Sequence, residues 1–334
     1  MKLPFSFGSR LIFRLALPGL LATFFLGYPL IGLGKVFQVM PLATLDLWDE
    51  VVLGILVVFF GWLISVLDMP IYMLMEGRRY WPGWLKRWMT QHQKDRLAEY
   101  QRKASEGGSD AIEYHLKAAE FPLSKEGQRH APYPTRLGNI LTEHETYPNR
   151  KYGMDGVFYW YRIWQETDKD LRGELDERQT VLDGLIYSSA VLYLSALLSV
   201  LVLAGVWYES RVPPLRGLIW VALTVLAGYL FYRLSLPGYV QYGNHFKALF
   251  DRSYSKLDLQ PQLDFIAHET GQSWVAQAKG AAAPKIVWRY LQWHTFRPQG
   301  ADKNRSFEDM RKTTGAKSPS KLNSGKVQGP GGLS

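Results

Sequence analysis

The chain has no cysteine among its 334 residues. That excludes a disulfide scaffold, thiolate zinc sites, haem attachment through CxxC and a cysteine nucleophile. Phosphate-loop and nucleophile-elbow signatures are also missing, since neither GxxxxGK[ST] nor GxSxG occurs. Glu143-His144-Glu145 offers metal-ligand types. Adjacent helical residues point in different directions, however, and no second His stands four residues from His144, so HExxH is absent too. No catalytic set, metal site or cofactor is therefore assigned. What is also scarce is charge within four long stretches. Mean hydropathy is only −0.14 overall, but that average hides how the apolar residues are grouped.

The first stretch, Leu15 to Leu33, carries no charge. The second is Val51 to Val66, extending to about 70 if Asp68 is tolerated; the third is Gly184 to Trp207; the fourth is Gly217 to Tyr232, extending past Arg233 to Leu236. A spanning helix needs about 20 mostly apolar residues, with about 17 as a lower limit. The expected fold class is therefore an all-α membrane protein with four transmembrane helices arranged as two hairpins. The first stretch exceeds a signal-peptide core of about 7–15 residues and lacks a small-residue cleavage pattern, so it reads as a retained helix. Asp68, before Met69-Pro70, reads as a cap for a restarting helix.

Loop charge sets the orientation. Lys2, Arg10 and Arg14 precede the first stretch, whereas the following loop has Lys35 against Asp46, Asp49 and Glu50. From Gln241 onward there are 14 Lys or Arg against 7 acids. Positive flanks stay inside, so both termini and the central segment are expected in the cytoplasm. The organisation read from the sequence is a first hairpin (1–75), a cytoplasmic segment (76–183), a second hairpin (184–236), a cytoplasmic helical region (237–298) and a basic tail (299–334). The tail has 7 basic and 3 acidic residues with little to bury, and is expected to be disordered.

The central segment is neutral overall, but residues 76–103 hold 8 basic and 3 acidic residues, a net +5 next to the membrane. Trp81, Trp84 and Trp88 fall with Leu85 on one helical face. Arg78, Arg79, Lys86 and Arg87 accompany them. Indoles at headgroup depth beside Lys and Arg describe an interfacial helix that contacts anionic lipid headgroups. The competing reading packs those Trp residues on the domain. The net charge of +9 requires no nucleic-acid partner, because it collects at membrane flanks.

Further along, Leu137, Ile140, Leu141 and His144 recur at helical spacing, with Tyr147-Pro148-Asn149 expected to end that helix. Later segments expected to be helical are 242–257 and 262–279. Arg136, Asn139, Glu143, Asp155 and Arg162 stand in an aromatic neighbourhood. Arg136, Asn139 and Asp155 are candidate ligand-binding residues. The alternative makes Arg136 and Asp155 a buried ion pair, since structural ion-pair networks imitate sites. On that alternative the RLGN helix is a keystone whose apolar face receives the aromatic run Phe158 to Trp164.

PIYMLMEGRRYWPGWL, PTRLGNILTEHETYPNRKYGMDGVFYWYRIW and VQYGNHFKALFDRSYSKL together resemble blocks of an uncharacterised family of bacterial multi-pass inner-membrane proteins. The RLGN block, Arg136 to Asn139 with Tyr152, Gly153 and Asp155 following, is its most specific part. The resemblance spans roughly residues 10 to 275. It implies a bacterial inner-membrane setting and two transmembrane hairpins, and it adds no chemistry.

Three function classes fit the sequence. The leading one is a non-enzymatic membrane anchor, scaffold or sensor whose cytoplasmic domain binds a protein partner. The second is a channel or effector that forms a pore as a homo-oligomer. The third is a membrane enzyme acting on lipid.

Overall fold

The computed structural model describes residues 8, 10–31, 47–124, 126–210 and 215–296. The loop expected at 34–46, the turn at Pro213-Pro214 and the tail from 299 lie outside the described residues. Within them the regular structure is helical, and the one pairing of extended backbone is an isolated antiparallel bridge between Leu123 and Arg129.

After a π-helical segment, Arg10–Ala16, the helices are α1 (Leu17–Ile31), α2 (Leu47–Val66), α3 (Asp68–Met75), α4 (Gly83–Ser105), α5 (Ala111–Ala119), α6 (Arg136–Tyr152), α7 (Gly156–Gln165), α8 (Lys169–Ser210) and α9 (Leu215–Ser253). A 3-10 turn at Tyr254–Lys256 leads to α10 (Gln260–Thr270), α11 (Ser273–Ala276) and α12 (Ala282–Phe296). The chain divides into two compact units. One is formed from 1–144 with 167–249, the other from 145–166 with 250–334.

In the first unit, α8 and α9 are long and apolar enough to cross a membrane. Helices α2 and α3, bent by 67° at their junction, add a third span if the bent pair is counted as one. Among the described residues this is fewer than the four spans expected. The described part of the first apolar stretch is divided between the π-helical segment and the 15 residues of α1, fewer than the roughly 17 a span needs, and residues 32–33 of that stretch lie outside the described residues. Helix α1 crosses α2 at close range. A Cβ added to Gly19 would lie 2.1 Å from the Val57 carbonyl oxygen, and one added to Gly61 would lie 2.3 Å from that of Leu15. Small residues of this kind let helices approach where lipid offers no hydrophobic drive for association.

Helix α8 joins the charged stretch from Lys169 to the apolar run beginning at Gly184 without a break. Its sequence contains no proline, so the change in composition does not interrupt the hydrogen-bond ladder. Helix α9 likewise merges the fourth apolar stretch with the helix expected over 242–257, and it runs through Pro237. Two buried clusters hold these helices. Ala22, Ile64, Tyr187 and Val191 form one; Met75, Leu137, Ile140, Leu182, Ile186, Leu236 and Tyr239 form the other. A third cluster, Leu97, Ala118, Phe121 and Ala131, seats α4 and α5 on the proline-rich segment.

In the second unit, Leu263, Ile266, Trp274, Val275, Ile286, Val287 and Tyr290 build the core of α10, α11 and α12. The single helix expected over 262–279 is two, because Gly271 takes a left-handed φ of 66° and ends α10. Tyr159 and Ile163 of α7 are fully buried, and the Tyr159 hydroxyl donates to the Pro284 carbonyl at 2.8 Å. The aromatic run thus enters a core with the C-terminal helices, in place of the RLGN face expected to receive it.

Candidate functional site

Each residue of the RLGN block has a distinct contact. Thr135 caps α6, its hydroxyl accepting from the Gly138 amide at 3.0 Å. Arg136 donates Nε to Glu120 Oε2 and Nη2 to Glu120 Oε1, both at 2.6 Å. Leu137 and Ile140 are fully buried. Gly138 permits the helix to abut the end of α3, since a Cβ there would sit 2.2 Å from the Glu76 carbonyl oxygen. Asn139 accepts from the Tyr133 amide at 3.2 Å and donates to the carbonyls of Tyr133 and Thr135 at 3.0 and 2.9 Å.

The ion pair expected between Arg136 and Asp155 is therefore replaced. Arg136 is neutralised by Glu120, while Asp155 caps α7 by accepting from the Phe158 amide at 2.8 Å. Of the three candidate ligand residues, Arg136 and Asn139 share the first turn of α6 and Asp155 belongs to the other unit. Asn139 has both ends of its amide committed to the backbone.

Helix α6 does not stop at Tyr147-Pro148. It continues to Tyr152 and ends where Gly153, at φ 71°, donates to the Asn149 carbonyl. The last turn is tied down by Asp251, which accepts from the hydroxyls of Tyr147 and Tyr152 at 2.8 and 2.6 Å and pairs with Lys151 at 3.2 Å. Those contacts offset the amide donor that Pro148 lacks. Upstream, Glu143 is buried and pairs with Lys247 at 3.2 Å. The neighbouring His144 ring is buried against Gly243. Burial first, and repulsion from Lys247 second, push its pKa down to about 3, so the imidazole is neutral.

Helix α4 divides its faces. Leu97 and Gln93 are buried, with Leu85 and Met89 half-buried on the same stripe. Trp84 and Trp88 project outward, 66% and 65% exposed. Trp81 precedes α4, which begins at Gly83, and Leu85 lies on the inward stripe, so the single face expected for Trp81, Trp84, Leu85 and Trp88 is not formed. Trp81 is half-buried and donates its indole N–H to the Leu74 carbonyl at 2.8 Å. Arg79 and Arg87 are exposed, and Lys86 is half-buried with Nζ 3.4 Å from the Arg78 carbonyl. Arg78 turns inward, paired with buried Glu76 and lying 5.1 Å over the Tyr133 ring.

Between this helix and the apolar parts of α8 and α9 is a cavity of about 570 Å³. Leu85, Met89, Gln93 and Arg96 line it from α4, Tyr193 and Leu197 from α8, Tyr229 and Arg233 from α9. The size is that of a small-molecule or lipid-chain site.

A second feature, absent from the sequence reading, is a buried polar knot. Arg14 donates Nε to Asp183 Oδ2 at 2.8 Å. The Tyr72 hydroxyl donates to Asp183 Oδ1 and lies 2.6 Å from the Tyr239 hydroxyl. Tyr187 donates to Asp68 Oδ1 at 2.6 Å. Asp68 thus serves Tyr187; Leu67 holds the cap position of α3. Asp183 is fully buried, so its charge requires the partners it has. The knot joins the π-helical segment, α3, α8 and α9. The sequence signal was Asp183 and Tyr187 four apart at the head of an apolar run; the partners lie more than a hundred positions away.

No family model, curated protein or solved structure matches the chain. The fold and site thus define a class by architecture: a helical protein with, among the described residues, two to three helices long and apolar enough to cross a membrane.

Proposed function

We propose that the chain is an integral membrane anchor, acting as a scaffold or sensor, whose helical part outside the bilayer binds a protein partner. One observation carries this reading. Helix α8 has 42 residues, about 60 Å at 1.5 Å per residue and so about twice the hydrocarbon thickness. Its apolar portion begins at Gly184 and its charged portion precedes it. A rod of that kind fixes a cytoplasmic surface to a membrane element with no hinge between them.

The finer layout belongs to the same proposal. Four spans lie in a bacterial inner membrane, α1 with its preceding π-helical segment supplying one and the bent α2–α3 pair another. Both termini face the cytoplasm. The loop charges and the resemblance of the RLGN block to bacterial multi-pass proteins support this. A second reading, self-association through the membrane, is favoured by α2, where Val51, Val52, Ile55, Val58, Phe59 and Trp62 are all exposed. A pore formed by such an oligomer predicts conductance on reconstitution.

Affinity purification of the full chain from crosslinked membranes tests the scaffold reading. A stoichiometric soluble partner, lost when exposed residues of α7 such as Val157 and Tyr161 become charged, is the expected result. Purification without a partner, together with ion conductance or lipid turnover, contradicts it.

A further inference from the structure

We infer that the cavity between α4 and the apolar helices binds one anionic phospholipid whose headgroup carries hydroxyl groups, as a glycerol headgroup does. The inference rests on the membrane placement proposed above. The headgroup lies at Arg96 and Arg233, and an acyl chain runs along Tyr193, Leu197 and Tyr229.

Four observations converge there. The far wall is made by the apolar portions of α8 and α9, the surface that faces lipid in a bilayer. The charge at the cavity is one-sided. Arg96 has His92 as its hydrogen-bond partner at 3.5 Å, and Arg233 lies over the Tyr229 ring at 5.9 Å. Among the described residues neither is ion-paired with a carboxylate, whereas Arg14, Arg78, Arg102, Arg136 and Arg178 all are. A guanidinium fork matches the oxygens of a phosphodiester, and removal from bulk water strengthens that pairing.

The third observation is Gln93. It lines the cavity, is 3% exposed, and its Oε1 has no hydrogen-bond partner. A buried acceptor without a donor costs about 1–3 kcal/mol. A phosphodiester anion has no donor to offer, and a headgroup hydroxyl does. The fourth is Tyr80, which lines the same cavity at φ 69°. It is the one non-glycine residue in the left-handed region among those described. Backbone strain of this kind persists at ligand clamps, where the surroundings hold it.

The test uses the full chain, extracted in mild detergent, stripped of lipid, and returned to phosphatidylcholine nanodiscs doped with phosphatidylglycerol or phosphatidic acid. Native mass spectrometry then counts the lipid that stays bound. One phosphatidylglycerol per chain should be retained, at least tenfold in preference to phosphatidylcholine. The Arg96→Gln/Arg233→Gln variant should lose that preference at least tenfold, and Leu197→Trp, which fills the chain's path, should lose the bound lipid. Measured at about pH 9, where phosphatidic acid is a dianion with no donor left, Gln93→Leu should erase the preference for phosphatidylglycerol over phosphatidic acid and leave anion selectivity intact. Arg79→Gln/Arg87→Gln, which removes exposed charge outside the cavity, should leave the retained lipid in place. Equal retention of phosphatidylcholine, or retention unchanged in both the arginine and the Leu197 variants, would overturn the inference. Should one variant misfold, the other still decides. A wild-type chain that enters nanodiscs but keeps no lipid defeats this site alone; a chain that never enters them defeats the membrane reading beneath it.

Discussion

Arg136 and Glu120 meet through two parallel hydrogen bonds, Nε to Oε2 and Nη2 to Oε1, each 2.6 Å long. The pair ties the first turn of α6 to the end of α5, and both side chains are mostly buried, 18% and 12% exposed. Removing one partner strands the other. Arg136→Ala should therefore cost about 3 kcal/mol, the low end for a buried pair because some water reaches it. Glu120→Ala should cost a similar amount. The Arg136→Met/Glu120→Leu double variant should be less damaged than either single one. Denaturant unfolding of the detergent-solubilised chain measures this, and unaltered midpoints in both single variants would refute it.

His144 gives a pH dependence with a defined sign. Its folded pKa of about 3 lies below the ordinary value near 6.5. The unfolded chain therefore takes up the proton first as pH falls. The stabilisation is full above about pH 6.5 and is lost progressively down to about pH 3, amounting to roughly 4–5 kcal/mol at the limit. His144→Phe should flatten that part of the curve, read as unfolding midpoint against pH between 7 and 4. A wild-type midpoint that is flat over this window would show that the ring is not buried as a neutral imidazole.

The polar knot makes an asymmetric prediction. Tyr187→Phe removes the hydroxyl that donates to Asp68 and should cost about 1–3 kcal/mol. Asp183→Ala leaves Arg14, 35% exposed, without its carboxylate and Tyr72 without its acceptor, and should cost more, about 3 kcal/mol. Thermal unfolding in detergent ranks the two; Asp183→Ala proving the milder would show that Asp183 is not the hub.

The basic residues of α4 and of the bend before it separate into two roles. Arg79→Gln/Arg87→Gln should weaken binding of a peptide covering 75–103 to anionic vesicles by about 1 kcal/mol per charge at low salt. Arg78→Gln, whose charge is held by Glu76, should instead lower the stability of the whole chain. Vesicle co-sedimentation and thermal unfolding distinguish the effects. Equal loss of vesicle binding at Arg78 and Arg79 would contradict the division.

These outcomes follow contacts that were unevenly visible in the sequence. The helical spacing of Leu137 and Ile140 located α6, and the apolar runs from Gly184 and Gly217 located the long helices. Composition could not show that those helices continue into charged segments, because a change from apolar to polar residues leaves the backbone ladder unaffected. Pro148 read as a breaker for a sound local reason, overridden by Tyr147, Lys151 and Tyr152 converging on Asp251. Arg136 was recognised as needing a carboxylate, but charge alone gave no ground for choosing Glu120 over Asp155. Asp183 closes a charged run just before Gly184, and nothing in that run separates it from a solvated charge. Only the fold brings Arg14 and Tyr72 to it.

Helices α8 and α9 are long and apolar enough to cross a membrane, and the proposed layout carries their charged extensions into the cytoplasm. The absence of native cysteine makes every single-cysteine variant a clean reporter. Labelling with a membrane-impermeant maleimide should modify Ser105→Cys and Glu174→Cys only when the cytoplasmic face is open, and Tyr208→Cys from the outside of intact cells. Leu197→Cys and Leu226→Cys should resist the reagent from either side. Labelling of Glu174→Cys and Tyr208→Cys from the same side would contradict the account, because the two ends of α8 would then share one compartment.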